Sequence, residues 1–271
     1  MGTLPIRRNI KPICVLSCVI AALMAVASLA GLLFRGSVYP SSDLQSNFVP
    51  NDVVSLFLGI PILLGSVLLV SRGRLIGLLL LPGALFFSFY NYVVYALAMP
   101  INSFFVIYPT LVALSGYTTL SLFASIDRKS VKERLAGAAN ERISAAVLIG
   151  LGAVFLMQAA GALISLASSP ISRPELALHI SDVIITPFWV VAGVFLWRRS
   201  EIGYTVSLPL LFQASMLFIG LIVFLFLQPI LTSVSFVPSS VVVIFVFGLI
   251  CFIPFALFSR EVVSRDSMPS Q

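Results

Sequence analysis

Eight stretches of the chain are continuously apolar, joined by short polar connections. The runs fall near residues 13–34, 53–70, 75–98, 103–125, 143–168, 183–197, 203–228 and 236–258. They do not alternate polar with apolar positions as the strands of a membrane barrel do, so the pattern predicts helices. A hydrocarbon core of about 30 Å takes about 20 apolar residues to cross in helical form. The run 183–197 is short for that task unless Asp182 or Arg198 lies among lipid headgroups. The expectation is an all-α polytopic integral membrane protein of eight transmembrane helices.

Composition sharpens this. Of 271 residues, 59% are hydrophobic and 10% charged, with a mean hydropathy of +1.11. A soluble domain carries about 25% charged residues, so lipid is the solvent for most of this surface. The net charge of +6 points to basic cytoplasmic loops rather than to nucleic acid, because the basic residues are spread over several of them. With the N-terminus inside, fourteen lysines and arginines fall in inner segments, and only Arg35 and Arg173 in outer ones. This bias supports eight spans and predicts both termini in the cytoplasm, with the chain in a plasma (inner) membrane. Ala25-Val26-Ala27 resembles a signal-peptide cleavage site, but the apolar run continues to Phe34, so an uncleaved first helix is expected.

The chain is expected to form a single membrane domain over 1–271. It divides into a first four-helix half (1–125), a cytoplasmic linker (126–142), a second half (143–260) and a cytoplasmic tail (261–271). The linker sequence SIDRKSVKERLAGAANER suits a short amphipathic surface helix. The two halves share punctuation. Displaced by 130 positions, Ala30-Gly31 faces Ala160-Gly161, Pro40 faces Pro170, and Asp52-Val53 faces Asp182-Val183. After a slip, Ile76-Gly77 pairs with Ile202-Gly203, and Pro100-Ile101 with Pro229-Ile230. This suggests two parallel four-helix repeats related by an axis along the membrane normal.

Asp52 and Asp182 each follow a capping-type residue, Asn51 or Ser181, and precede an apolar run. They are expected at the outer start of a helix, where the partial positive charge of the first turn favours a carboxylate. The functional alternative is a pair of outer carboxylates that receive a cation or a polar head. No charge is expected well inside a span, which argues against ions riding on buried carboxylates. His179 is expected in an outer loop. The candidate binding residues are Asp52, Asp182, Asn91, Tyr95, Gln158 and Gln213: Asn91 and Tyr95 share a helical face with Phe87, and the glutamines lie near mid-span. The other tyrosines suit an interfacial belt. Tyr108, Ser115 and Thr119 share one face of the fourth span, and Thr110, Tyr117 and Ser121 another. Prolines within spans, such as Pro61, Pro82 and Pro209, predict bends.

Cys14, Cys18 and Cys251 lie in apolar segments without the His or carboxylate company of a metal site. No glycine loop of the nucleotide-binding kind occurs, and no cofactor is expected. An outer-face acid/base set of Asp52, His179 and Asp182 is the enzymatic possibility, with no nucleophile or metal motif behind it. The functional expectation is a small transporter or carrier for an uncharged or lipid-like solute. The alternative is a non-catalytic membrane subunit, scaffold or sensor acting through a membrane-protein partner or a second copy. In either case the bilayer is the constant partner.

Overall fold

Each apolar run is a helix in the computed structural model, which describes residues 4–137, 141–167 and 170–266. The spans are α1 (Lys11–Leu33), α2 (Ser42–Ser71), α3 (Leu75–Ala98), α4 (Ile107–Ser125), α5 (Glu141–Ile164), α6 (Arg173–Trp197), α7 (Glu201–Leu231) and α8 (Pro238–Asp266). All eight are long and apolar enough to cross a bilayer, and the chain is a multi-pass membrane protein. Among the described residues there is no strand, only an isolated bridge between Ile6 and Ile126.

Two helices begin much earlier than their apolar runs. The α2 helix starts at Ser42, because the Ser41 hydroxyl accepts the Leu44 N–H at 3.2 Å and Asp43 occupies the first turn. The α6 helix starts at Arg173: Ser172 accepts the Glu175 N–H at 3.4 Å, Pro174 fits the first turn, and Glu175 adds an acid there. These are the ordinary start signals of a helix. Asp52 and Asp182 therefore do not cap anything. They lie some ten residues, about 15 Å, into their helices, and the expectation of spans free of internal charge fails with them. His179 lies in α6, not in a loop. The α8 helix runs on to Asp266, into the segment expected as the tail; residues 267–271 lie outside the described part.

A π-helical turn, Ser55–Gly59, interrupts α2. Pro61, which follows it, has no N–H for the carbonyl one turn back and crowds that carbonyl with its ring, so the ladder widens there.

The packing order is regular. The central contact is α3 on α7. Around it α2 packs on α3 and α6 on α7, α2 reaches across to α7 as α3 reaches across to α6, and α1–α4 and α5–α8 close the outside. At the crossing of α3 and α7, a Cβ on Gly83 would enter the carbonyl of Pro209 and meet Phe212 Cδ1 at 3.0 Å. The α2–α3 and α6–α7 turns have the same hydrogen bonds. Arg72, Gly73 and Arg74 N–H groups reach Leu68, Val70 and Leu69 carbonyls, and Arg198, Arg199 and Ser200 reach Val194, Leu196 and Phe195. The turn residue is left-handed in both, Gly73 at φ 70° and Arg199 at φ 52°. The strained Arg199 is held by Glu141, whose carboxylate lies 3.2 Å from its Nε.

Apart from Arg35, the basic residues between spans gather at the end of the bundle that carries the two turns. Here the linker forms a helix, Arg128–Leu135, with Val131 and Leu135 buried; residues 138–140 lie outside the described part. The N-terminal segment is tied to the end of α4 by Arg7 N–H to Ser125 O and Asp127 N–H to Pro5 O, both 2.8 Å, and by the Arg7–Asp127 ion pair at 2.8 Å. The Ser130 hydroxyl and then Arg7 hold the Asp127 carboxyl below its usual range. A depressed pKa stabilises the tie above the unfolded value near 3.9, and that contribution is lost as pH falls through the folded one. Amide protection at Arg7 and Asp127 is thus expected to drop below about pH 4. Undiminished protection in acid would show that the carboxylate does not hold the segment.

Candidate functional site

Toward the opposite end of the bundle, polar side chains close into a buried network around Asp52. The Tyr39 hydroxyl donates to Asp52 Oδ2 at 2.6 Å and the Tyr95 hydroxyl to Oδ1 at 2.9 Å. Asn51 Nδ2 donates to Asn91 Oδ1 at 2.8 Å and to the Tyr95 oxygen at 3.2 Å; Asn91 Nδ2 donates to Ser55 Oγ at 3.1 Å. Helical spacing makes this possible: Asn51 and Ser55 are four apart on α2, as Asn91 and Tyr95 are on α3. Asp52 itself is 1% exposed. Its room comes from Gly31 of α1, where a Cβ would overlap the Asp52 carboxylate and the Tyr39 hydroxyl.

Aromatic rings wall the network. Tyr95 lies 4.6 Å from Phe48, 5.4 Å from Tyr92 and 5.2 Å from Tyr108, centroid to centroid. Tyr39 sits in the α1–α2 connection; burial, with Tyr95 and Asp52 beside it, pushes its hydroxyl well above the usual tyrosine range. It therefore stays protonated and donates. A carboxylate out of water is costly unless paired or well hydrogen-bonded. Among the described residues, neither Asp52 nor Asp182 has a basic side chain within 4.0 Å. Phenols meet that demand here.

Asp182 forms a second centre. The Tyr90 hydroxyl donates to its Oδ1 at 2.8 Å, and His179, one turn before it, has a buried Nδ1 with no hydrogen-bond partner. Both aspartates thus hold a tyrosine of the same helix, α3. Tyr90 and Tyr95 are separated by about 7.5 Å along that helix and about 140° around it. The carboxylates belong to different faces, which is poor geometry for the joint acid/base set with His179.

A cavity of about 240 Å³ lies beside both centres, between α2, α3, α6 and α7. Asn47, Asn51 and Tyr90 are its polar lining, against apolar neighbours that include Phe87, Leu178, Leu217 and Phe224. It is lined by Tyr90, the partner of Asp182, and by Asn51, which reaches Asp52 only through Tyr95; neither carboxylate lines it. The remaining candidates lie elsewhere. Gln213 is fully buried in α7 and accepts from Trp189 Nε1 at 2.7 Å, with its own Nε2 unpartnered. Gln158 is exposed on α5.

Six of the seven tyrosines are buried, so they do not form a belt; only Tyr117 is exposed. Along α4, Tyr108, Ser115 and Thr119 face inward, but Ser115 and Thr119 donate to carbonyls of their own helix. They make no polar path. The residues that sequence reasoning missed are Tyr39, Asn51 as a network member, Ser55 and Gly31. The spacing Asn51-Asp52 and Ser55 is a one-faced polar string on a helix, the signal that an assumed helix start at residue 53 obscured. Comparison with models of known families, with characterised proteins and with solved structures finds no match.

Proposed function

We propose that the chain is a small membrane carrier in which two four-helix halves move about the cavity between α2, α3, α6 and α7. The carrying observation is that cavity, flanked by two buried, hydrogen-bonded carboxylates in spans where such groups are expensive. Its lining, apolar but for two asparagines and a tyrosine, suits a small, largely apolar solute with one polar group. The reading of two parallel repeats draws support from the matched turns, the crosswise packing of α2 on α7 and α3 on α6, and the central approach of Gly83 to Pro209. The basic end carries the termini and is assigned to the cytoplasm of a plasma membrane. The π-turn and the span prolines supply helix irregularities of the kind that line transporter sites.

In a chain whose three cysteines are replaced, Leu217→Cys at the cavity wall reports its exposure. A carrier predicts modification by a membrane-impermeant maleimide from either face of sealed vesicles. Labelling from the far face alone would make the cavity a static vestibule. The partner-dependent reading then leads, and Gln158, exposed along α5, is the polar group that favours it.

A further inference from the structure

We propose that a slot on the lipid-facing side of the bundle seats one acyl chain of an anionic phospholipid, whose phosphate lies among Arg128, Lys129 and Arg198. Such a seat needs no moving solute and stands apart from the carrier reading. The slot has a volume of about 400 Å³ and is separate from the cavity lined by Asn51 and Tyr90. Its floor is the α3–α7 crossing, where Pro82 and Pro209 line it, and α4 and α6 form its sides. Five phenylalanines line it, Phe86, Phe89, Phe123, Phe188 and Phe195. The Phe86 ring stacks on Phe89 at 5.8 Å and meets Phe188 edge-on at 5.5 Å. Leu120 and Phe188 are 72% and 52% exposed, so the slot opens to lipid. Thr119 is the one lining residue with a hydrogen-bonding side chain, and its hydroxyl is spent on the Ser115 carbonyl at 2.7 Å. The slot therefore offers an occupant nothing but hydrocarbon. Inside a bilayer the gain comes from packing, and an unfilled slot forfeits those contacts.

Shape and charge select the occupant. Along α6 the lining runs from Ile184 to Phe195, about 16 Å at helical rise, and over that length the volume makes a slot roughly 5 Å across. A helix with its side chains is about 10–12 Å across and does not enter. A single hydrocarbon chain, whose carbons touch neighbours at about 4 Å, does. The slot runs to the basic end of the bundle: Phe123 and Phe195 stand two residues before the ends of α4 and α6, and Ile202 is the second residue of α7. The linker helix follows α4 and packs on α7, so it bridges the slot's end. Arg128, Lys129 and Arg198 are exposed there, and among the described residues none of them has an ion-pair partner. Of the nearby acids, Asp127 is held by Arg7 and Glu141 by Arg199. Glu201 and Glu133 remain exposed, and they leave the rim positive. Trp197, 55% exposed at the end of α6, suits the headgroup level. A neutral lipid would fill the slot and leave that rim unanswered; an anionic one answers both.

The test is native mass spectrometry of the purified full chain in detergent, titrated with dioleoyl phosphatidylglycerol or dioleoyl phosphatidylcholine. One phosphatidylglycerol per chain is expected to be retained, with an apparent affinity about tenfold above that of phosphatidylcholine. Arg128→Gln, Lys129→Gln and Arg198→Gln together, all at exposed positions, are expected to erase that preference and leave chain binding. Val191→Phe and, separately, Ile184→Phe enlarge half-exposed residues of the slot wall. Each is expected to lower retention of both lipids about tenfold and to leave the preference unchanged. Equal retention of the two lipids, a preference that survives the triple substitution, or retention unchanged in both wall variants overturns the seat. Displacement by glycerol 3-phosphate, which carries the charge and no chain, overturns it too and makes the rim a patch for small anions. A dimer that gives way on Val191→Phe overturns it as well, and makes a second copy the occupant. Because nothing is transported in this assay, its outcome is separate from that of the carrier reading.

Discussion

Asp52→Ala is expected to destabilise the full chain by about 3 kcal/mol, whereas Asp52→Asn costs about 1 kcal/mol or less. Alanine strips the acceptor from two buried phenols at once, those of Tyr39 and Tyr95. Each buried hydroxyl left without a partner costs about 1–3 kcal/mol, and the vacated volume adds a cavity term. Asparagine keeps one acceptor oxygen and turns a donor toward a phenol oxygen, which can accept. The contrast between the two variants, read from unfolding midpoints in detergent, separates hydrogen bonding from charge. Equal effects would mean that the carboxylate's charge, not its geometry, holds the network.

The second large effect is expected at the crossing of the halves. Gly83→Ala pushes a methyl group into the Pro209 carbonyl, a backbone atom with no rotamer to escape into. Overpacking of this kind costs about 1–3 kcal/mol, and the rigid neighbour places Gly83→Ala at the upper end. Gly31→Ala is the informative comparison. It meets side chains, the Asp52 carboxylate and the Tyr39 hydroxyl, so Tyr39→Phe should relieve part of its cost in a double-mutant cycle. Gly150, where an added methyl group would have nothing within 4 Å, is the control. There, alanine should be neutral or stabilising by up to about 1 kcal/mol, the helix-propensity difference. Equal losses at Gly83 and Gly150 would remove the close α3–α7 crossing from the account.

The eight spans were legible because an apolar run is a local property, and lipid exposure demands it. The starts of α2 and α6 were not, because ten-residue extensions such as SDLQSNFVPN carry no apolar signature; their only signal was the caps at Ser41 and Ser172. That one error moved both aspartates from helix tips to helix interiors. Asn91 and Tyr95 could be grouped by their spacing on α3. Their link to the network around Asp52, about 40 residues away in sequence, could not. Nor could the pairing of Tyr90 with Asp182. Burial of the tyrosines followed the same logic: an aromatic near a span end satisfies either a belt or a network, and only the neighbours decide. Gly31 shows the limit most clearly, since its meaning lies wholly in what approaches it from α2 and from the α1–α2 connection.

The most direct test of the carrier account is a distance distribution across the cavity mouth. Spin labels at Asn47→Cys on α2 and Leu178→Cys on α6, in the otherwise cysteine-free full chain reconstituted in bilayers, report the gap between the two halves by pulsed electron spin resonance. Two resolved distances, with populations that shift when the cavity is filled, are the predicted result. A single narrow distance under all conditions would contradict halves that move, and would leave a rigid bundle serving a partner.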